Sequence, residues 1–256
     1  MASPLSLFRI PLRLLGLAIL TTYHTIWIIL GSRLSPDNLR RWGSRISRLV
    51  GLQIELSGSL PKQGALLIAN HRSYMDIPVL MALCPSRFLS KAEVRKWPLL
   101  GWAATKAGTI FVQRDRAESR REARRQLRAL LEEGSYVIVF PEGTTTPKGT
   151  LASLRPGMFR EAIEARLPIT LAAIEYEQAA AAWTLDESFL VHFIRSFRLR
   201  RQQVKVSFSE SIWAEDGESV EALQERCERW LREQINSLSG RGGLAPEPTE
   251  LFDPQA

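Results

Sequence analysis

Short, unbroken apolar runs alternate along this chain with longer stretches of helical period. Ala65-Leu66-Leu67-Ile68-Ala69, bounded by Gly64 and Asn70, has the continuous apolar character of a strand buried on both faces. Ser135-Tyr136-Val137-Ile138-Val139-Phe140 reads as another by its β-branched and aromatic content. Further strands are predicted at residues 53–57, 87–90, 109–112, 168–174, 189–194 and 202–208. Helices are predicted from Pro36-Asp37-Asn38 onward, at 77–83, at 116–133, after Pro156 to about Arg166, and at 218–238, with a short helix or loop at 179–186. This alternation predicts an α/β fold, a central mostly parallel or mixed sheet of about seven strands flanked by helices, preceded by an N-terminal membrane-associating helical pair. The expected domains are helices at 1–50, an α/β unit at 51–239 and a Gly-, Pro- and Glu-rich disordered tail at 240–256.

Residues 14–30 carry no formal charge and are mostly aliphatic or aromatic. A helix of that length is about 26 Å long against a bilayer core of about 30 Å, a marginal span that suits a tilted or half-inserted helix. A buried helix of the soluble core is the alternative. Arg9 and Arg13 precede the run as in a signal peptide, but no small-residue cleavage site follows it, so the segment reads as retained. Beyond Gly31 come Arg33, Arg40, Arg41, Arg45 and Arg48, mixed with Leu39, Trp42, Ile46, Leu49 and Val50 at helical spacing. That mixture predicts an amphipathic helix on an anionic membrane surface, with the catalytic domain on the cytoplasmic face.

Candidate chemistry sits where strands end. His71 follows the 65–69 strand in Asn70-His71-Arg72-Ser73-Tyr74-Met75-Asp76. On one continuous helix, His71 and Asp76 would point roughly 140° apart. They meet only if His71 lies in a turn before the helix, with Ser73 as N-cap and Asp76 at its third position. A carboxylate on the imidazole then fixes its tautomer and equips it as a general base for a hydroxyl. The spacing alone is weak, since an acidic residue in a first helical turn is common. At the end of the second strand, Pro141-Glu142-Gly143-Thr144-Thr145-Thr146 offers a glycine for close backbone approach and three hydroxyls for a polar headgroup.

Together these stretches resemble the glycerolipid acyltransferase superfamily, whose first motif is Asn-His-x-x-x-x-Asp and third is Phe-Pro-Glu-Gly-Thr. Gly108-Thr109-Ile110-Phe111-Val112-Gln113-Arg114 resembles the second motif and Leu167-Pro168-Ile169-Thr170 the fourth. The resemblance implies that His71 is the base, that Asp76 orients it, and that Arg114, Glu142 and Gly143 hold the acceptor, joined by Thr144, Thr145 and Arg155. It further implies acyl transfer from acyl-CoA or acyl carrier protein to the free hydroxyl of a lysolipid in phospholipid biosynthesis, first of all 1-acyl-sn-glycerol-3-phosphate. Neither a cofactor nor a metal is expected. Members acting on that acceptor commonly carry Arg where this chain has Thr145. A hydroxyl does not replace a guanidinium on phosphate, so Arg114, Lys148 or Arg155 supplies the charge, or the acceptor is another lysolipid such as lyso-ornithine lipid.

The chain has 256 residues, 45% of them hydrophobic and 24% charged, enough for one sizeable core. Two cysteines, Cys84 and Cys227, and three histidines give no disulfide framework or metal cluster. The net charge of +7 favours phosphate-bearing partners. Nucleic acid is disfavoured because no stacking aromatics are interleaved with the charges. The arginines at 120, 121, 124, 125 and 128 read first as a solvated helix face and second as a site for coenzyme A or acyl carrier protein. Trp97 and Trp102 suit a lipid-facing patch or the core equally, and His192 is expected to pack within a strand. A non-catalytic module binding anionic lipid is the rival of a different class.

Overall fold

A computed structural model describes residues 5–29, 35–60, 64–97, 100–184, 187–241 and 250–251. Two helices, α1 (Leu5–Ile29) and α2 (Pro36–Val50), precede the first strand, β1 (Leu52–Ser57). The chain continues through β2 (Leu66–Ala69), α3 (Asp76–Leu83), β3 (Ser86–Lys91), α4 (Leu100–Lys106), β4 (Ile110–Val112), α5 (Ala117–Glu132) and β5 (Tyr136–Val139). It closes with α6 (Gly157–Glu164), β6 (Ile169–Tyr176), α7 (Phe189–Arg198), β7 (Gln202–Phe208), α8 (Val220–Leu238) and β8 (Glu250–Leu251).

All eight strands form one sheet in the order β4-β3-β5-β2-β6-β7-β1-β8. The five from β4 to β6 are mutually parallel, β7 runs antiparallel to β6, and β1 is parallel to β7. The expected mixed sheet is therefore present. Its eighth member is a two-residue pairing of 250–251 with Glu55 and Leu56, inside the tail expected to be disordered. Residues 242–249 and 252–256 of that tail lie outside the described residues.

The strands are apolar because both faces are covered. On β2, Leu67 and Ala69 join a cluster with Val50, Val79, Leu80 and Phe197, while Leu66 and Ile68 join one with Leu127, Phe159, Leu223 and Leu231. Burying each such aliphatic side chain contributes about 1.5–3 kcal/mol. The sheet thus has α2, α3 and α7 on one side and α5, α6 and α8 on the other.

Three sequence expectations change in the structure. Residues 189–194 belong to helix α7 rather than a strand. Phe189, Phe193 and Phe197 recur every four residues along one side of it, with ring centroids 5.6 and 4.2 Å apart, and Ser188 caps it by accepting from Val191 N. That 3.6-residue period was hidden by the aromatic content. Next, α2 turns its apolar residues Leu39, Ile46 and Val50 onto α3 and the sheet instead of outward, leaving Arg41 and Arg48 exposed. It therefore shares the core of the α/β unit. Third, α4 begins at Leu100, and Trp97 and Trp102 are 42% and 40% exposed, which removes the core reading of both.

α1 is fastened to this body. Arg13 donates from Nη1 to Phe197 O (2.9 Å) and Leu199 O (2.6 Å), so it closes the carbonyl end of α7. Gly16 admits Leu49 of α2, and the Arg45 guanidinium lies 5.4 Å from the centre of the Tyr23 ring. The opposite side of α1 exposes Leu12, Leu15, Ile19 and Ile26. Among the described residues no helix is long and apolar enough to cross a membrane.

The α2–α3 crossing is close because Gly43 has no side chain. A Cβ there would lie 2.6 Å from Ala82 N and 2.7 Å from Pro78 O, backbone atoms that cannot swing aside. Gly43→Leu should cost about 1–3 kcal/mol of stability and lower the thermal midpoint by several degrees. An unchanged melting curve would show that this crossing tolerates a wider separation.

Candidate active site

The parallel strands β4, β5, β2 and β6 deliver their following loops to one edge of the sheet, the carboxyl edge where α/β folds place their sites. Asn70 prolongs the β2–β6 ladder with its side chain, donating from Nδ2 to Ile174 O (2.9 Å) and accepting from Ile174 N (2.7 Å). Its amide has the donor and acceptor of a peptide group, so the chain remains anchored to β6 one residue past the strand. The next residue is His71.

The Nδ1 of His71 lies 2.8 Å from Asp76 Oδ2, and the two side chains are 20% and 0% exposed. The contact arises much as spacing predicts, through a turn between them, but the cap differs. The helix starts at Asp76 itself, Ser73 Oγ accepts weakly from Met75 N, and Asp76 reaches back to accept from Arg72 N (2.7 Å) and Ser73 N (3.0 Å). A carboxylate in the first turn also meets the positive end of α3. Its other oxygen, Oδ1, accepts from Tyr176 Oη at 2.9 Å. Burial and the neighbouring Asp76 carboxylate push the Tyr176 phenol well above its usual range, so it stays a neutral donor.

With Asp76 accepting at Nδ1, the imidazole carries that proton and keeps the lone pair of Nε2 for an incoming hydroxyl. The ring is held flat against Phe140, with centroids 4.0 Å apart. Glu142 is 5% exposed, and its two oxygens accept from His71 N (2.7 Å) and Ala152 N (2.8 Å). Burial raises its affinity for a proton, and the two amides oppose that shift. Its observed contacts hold the backbone of the His71 turn, whereas the resemblance casts it as a group that holds the acceptor.

Among the threonines, Thr146 meets the turn. Its N and Oγ1 both donate to His71 O, at 2.9 and 3.2 Å, and its hydroxyl accepts from Arg72 Nη1. Thr144 and Thr145 are half-buried on the same loop. Gly143, at φ +73°, needs the left-handed backbone that glycine allows, and a Cβ there would stand 3.0 Å from both Arg114 Nη1 and Arg155 Nε. Two guanidinium groups from distant parts of the sequence therefore flank one glycine. Nη1 of Arg114 is buried without a hydrogen-bond partner, and burial followed by the charge of Arg155 lowers its proton affinity. Both effects would be relieved by an anion. Lys148, the third candidate for that charge, instead donates to Glu177 O beyond β6 (2.7 Å).

Two functional neighbours were missed by sequence reasoning. Tyr176 stands at the end of β6, where a polar residue closing an apolar strand was the available signal. Arg72, inside the motif itself, is fully buried. Its Nε donates to Glu175 Oε1 (2.7 Å), Nη2 pairs with the same carboxylate and donates to Thr150 O (2.7 Å), and its own carbonyl accepts from Trp183 N (2.8 Å). Nothing in a lone Arg distinguishes such a buried pair from a solvated one. His192 lies on α7, buried, with Nδ1 3.1 Å from Tyr74 Oη, and burial keeps it neutral. Among the described residues no group of three or more His, Cys, Asp or Glu is placed to hold a metal ion.

The chain is similar to known proteins in sequence and fold. The profile of the Acyltransferase family matches residues 51–175. A lyso-ornithine lipid O-acyltransferase of Pseudomonas aeruginosa is 38% identical over 213 residues, covering 78% of this chain and 82% of that one. A 1-acyl-sn-glycerol-3-phosphate acyltransferase of Neisseria gonorrhoeae is 28% identical over 72% and 74% of the two chains. The crystal structure of the 1-acyl-sn-glycerophosphate acyltransferase PlsC from Thermotoga maritima shares the fold, with a TM-score of 0.66 at 21% identity over 91% of this chain and 100% of the other. With the histidine and its carboxylate seated at the carboxyl edge of that fold, this chain belongs to the acyltransferase family.

Proposed function

We propose that the protein moves a fatty acyl group from an acyl thioester, acyl-CoA or acyl carrier protein, to the free hydroxyl of a lysolipid whose headgroup bears a carboxylate or phosphate. The observation that carries this reading is the His71–Asp76 contact at 2.8 Å, on an imidazole that is 20% exposed. His71 Nε2 takes the hydroxyl proton as the oxygen attacks the thioester carbonyl. The C–O bond forms, the C–S bond breaks, and the thiol leaves with a proton. General-base help of this kind is typically worth about a hundred- to ten-thousand-fold.

Arg114 and Arg155, which meet beside Gly143, receive the headgroup anion. Arg155 thus supplies the cation that the family resemblance leads one to expect at the position of Thr145. Two acceptors meet this requirement, 1-acyl-sn-glycerol-3-phosphate through its phosphate and lyso-ornithine lipid through its carboxylate. Thr145, together with the 38% identity to the Pseudomonas aeruginosa enzyme, favours lyso-ornithine lipid. Membrane association belongs to the same reading. The outward apolar side of α1 and the exposed Trp97 and Trp102 meet the bilayer from which the lysolipid comes, with the catalytic edge on the cytoplasmic side where thioesters are made.

In a thiol-release assay with purified protein in detergent, lyso-ornithine lipid should support the faster turnover, and a preference for 1-acyl-sn-glycerol-3-phosphate would return the acceptor to the phosphate class. Arg155→Ala should raise the acceptor KM about tenfold or more with a smaller change in kcat. No thiol release from any thioester, with any acceptor, would leave only a lipid-binding module. His71→Ala and Asp76→Asn should each lower kcat by about a hundredfold or more while vesicle binding persists. Tyr176→Phe, which strips Asp76 Oδ1 of its donor, should lower kcat about tenfold; normal kcat in either of the first two variants rejects the mechanism.

A further inference from the structure

We propose that a second cationic recess, on the opposite side of His71 from Arg114 and Arg155, receives the phosphate of the phosphopantetheine arm that carries the acyl thioester. The assignment rests on the acyl-transfer reading above. In the strand order, β2 and its His71 turn stand between β5, which leads to Gly143, and β6. Beyond the end of β6 the chain folds around an open recess of about 560 Å³, lined among others by Lys148, Thr184, Glu187, Arg195 and Arg241. Three of these side chains are cations. Among the described lining residues the one carboxylate, Glu187, is paired with Arg195 at 2.7 Å, and the nearby Glu175 is paired with Arg72. The described lining therefore carries a surplus of positive charge, which concentrates anions at its mouth.

The cationic heads are held but not consumed. Lys148 Nζ spends one donor on Glu177 O (2.7 Å) and Arg241 Nη1 one on Gly149 O (3.3 Å), and each group has further N–H donors by valence. Both walls are bonded directly to the catalytic turn. Thr146, two residues before Lys148, donates to His71 O, and Trp183, on the stretch after β6, donates to Arg72 O (2.8 Å). A phosphate seated here would point its pantetheine arm toward the imidazole from the side that the acceptor does not use.

The long helix α5, the sequence-based candidate for donor phosphates, is less suited. Arg124 and Arg128 pair with Glu161, Arg125 pairs with Glu122, and Arg120 donates to Arg114 O. The reaction brings together two substrates that each carry an anion, and the fold presents one cationic site on each flank of the base. Coenzyme A and acyl carrier protein share the phosphopantetheine phosphate, so the chemistry of the recess is common to both.

The test compares acyl-CoA and acyl carrier protein with acyl-pantetheine, which keeps the thioester and lacks the phosphate. For the unaltered protein, kcat/KM for at least one phosphate-bearing donor should exceed that for acyl-pantetheine. In Lys148→Glu/Arg241→Glu that ratio should fall at least tenfold. Loss for acyl-CoA alone identifies coenzyme A as the source of the phosphate, loss for the carrier protein alone identifies the carrier, and loss for both identifies the shared arm. Independently of any variant, phosphopantetheine should inhibit the unaltered protein competitively against the donor, and pantetheine should not. An unchanged ratio in the double variant, or a rise confined to the acceptor KM, overturns the assignment. Absence of thiol release from every donor with the unaltered protein would instead sink the acyl-transfer reading itself.

Discussion

Everything at the catalytic edge depends on a buried carboxylate, that of Asp76, being fully compensated. An isolated ionised carboxylate in a dry interior is prohibitively costly, and here four donors share its charge: the His71 ring, the amides of Arg72 and Ser73, and the Tyr176 phenol. Two of these are backbone amides of the turn itself, so the compensation also fixes the backbone that carries the histidine. A phenol from β6 and amides from the β2 turn thus converge on one group. The charge organises the turn, and the turn positions His71.

A second buried charge stands directly behind the first. Arg72 and Glu175 neutralise each other, and two further guanidinium donors go to Thr146 and to Thr150 O of the loop after β5. Buried pairs are weak sources of net stability but costly to break, about 3–5 kcal/mol when one partner is removed. Their contribution here is placement. The pair joins the ends of β2 and β6 to the loop that carries Glu142 and Gly143, so three separate stretches of sequence keep fixed positions around His71.

The parts of this architecture that were legible in the sequence are those governed by local pattern. Continuous apolar runs gave the central strands within a residue or two, and the spacing of His71 and Asp76 allowed contact only through a turn, which is what is found. What was hidden depended on tertiary partners. The aromatic run at 189–194 satisfies either period, and only packing against Tyr74 and Trp183 selects the helix. The outward basic residues of α2 suggested a membrane surface, yet its apolar side was needed by α3. Arg155 could be suspected but not placed, since its approach to Gly143 depends on the whole loop folding back. Tyr176 and Arg72 lacked a pattern altogether, because a buried hydrogen bond leaves no mark on the order of residues.

That loop is closed on itself. Arg155 N donates to Pro141 O and Ala152 N to Glu142, while between these points the chain is pinned at Thr146 to His71 O, at Gly149 to Glu175, and at Thr150 to Arg72. Such a ring tolerates changes of identity at its outward positions but not of length. One residue more or fewer between Glu142 and Ala152 would shift His71, Gly143 and Lys148 relative to one another, so change on this scaffold is confined to substitution within a loop of constant size.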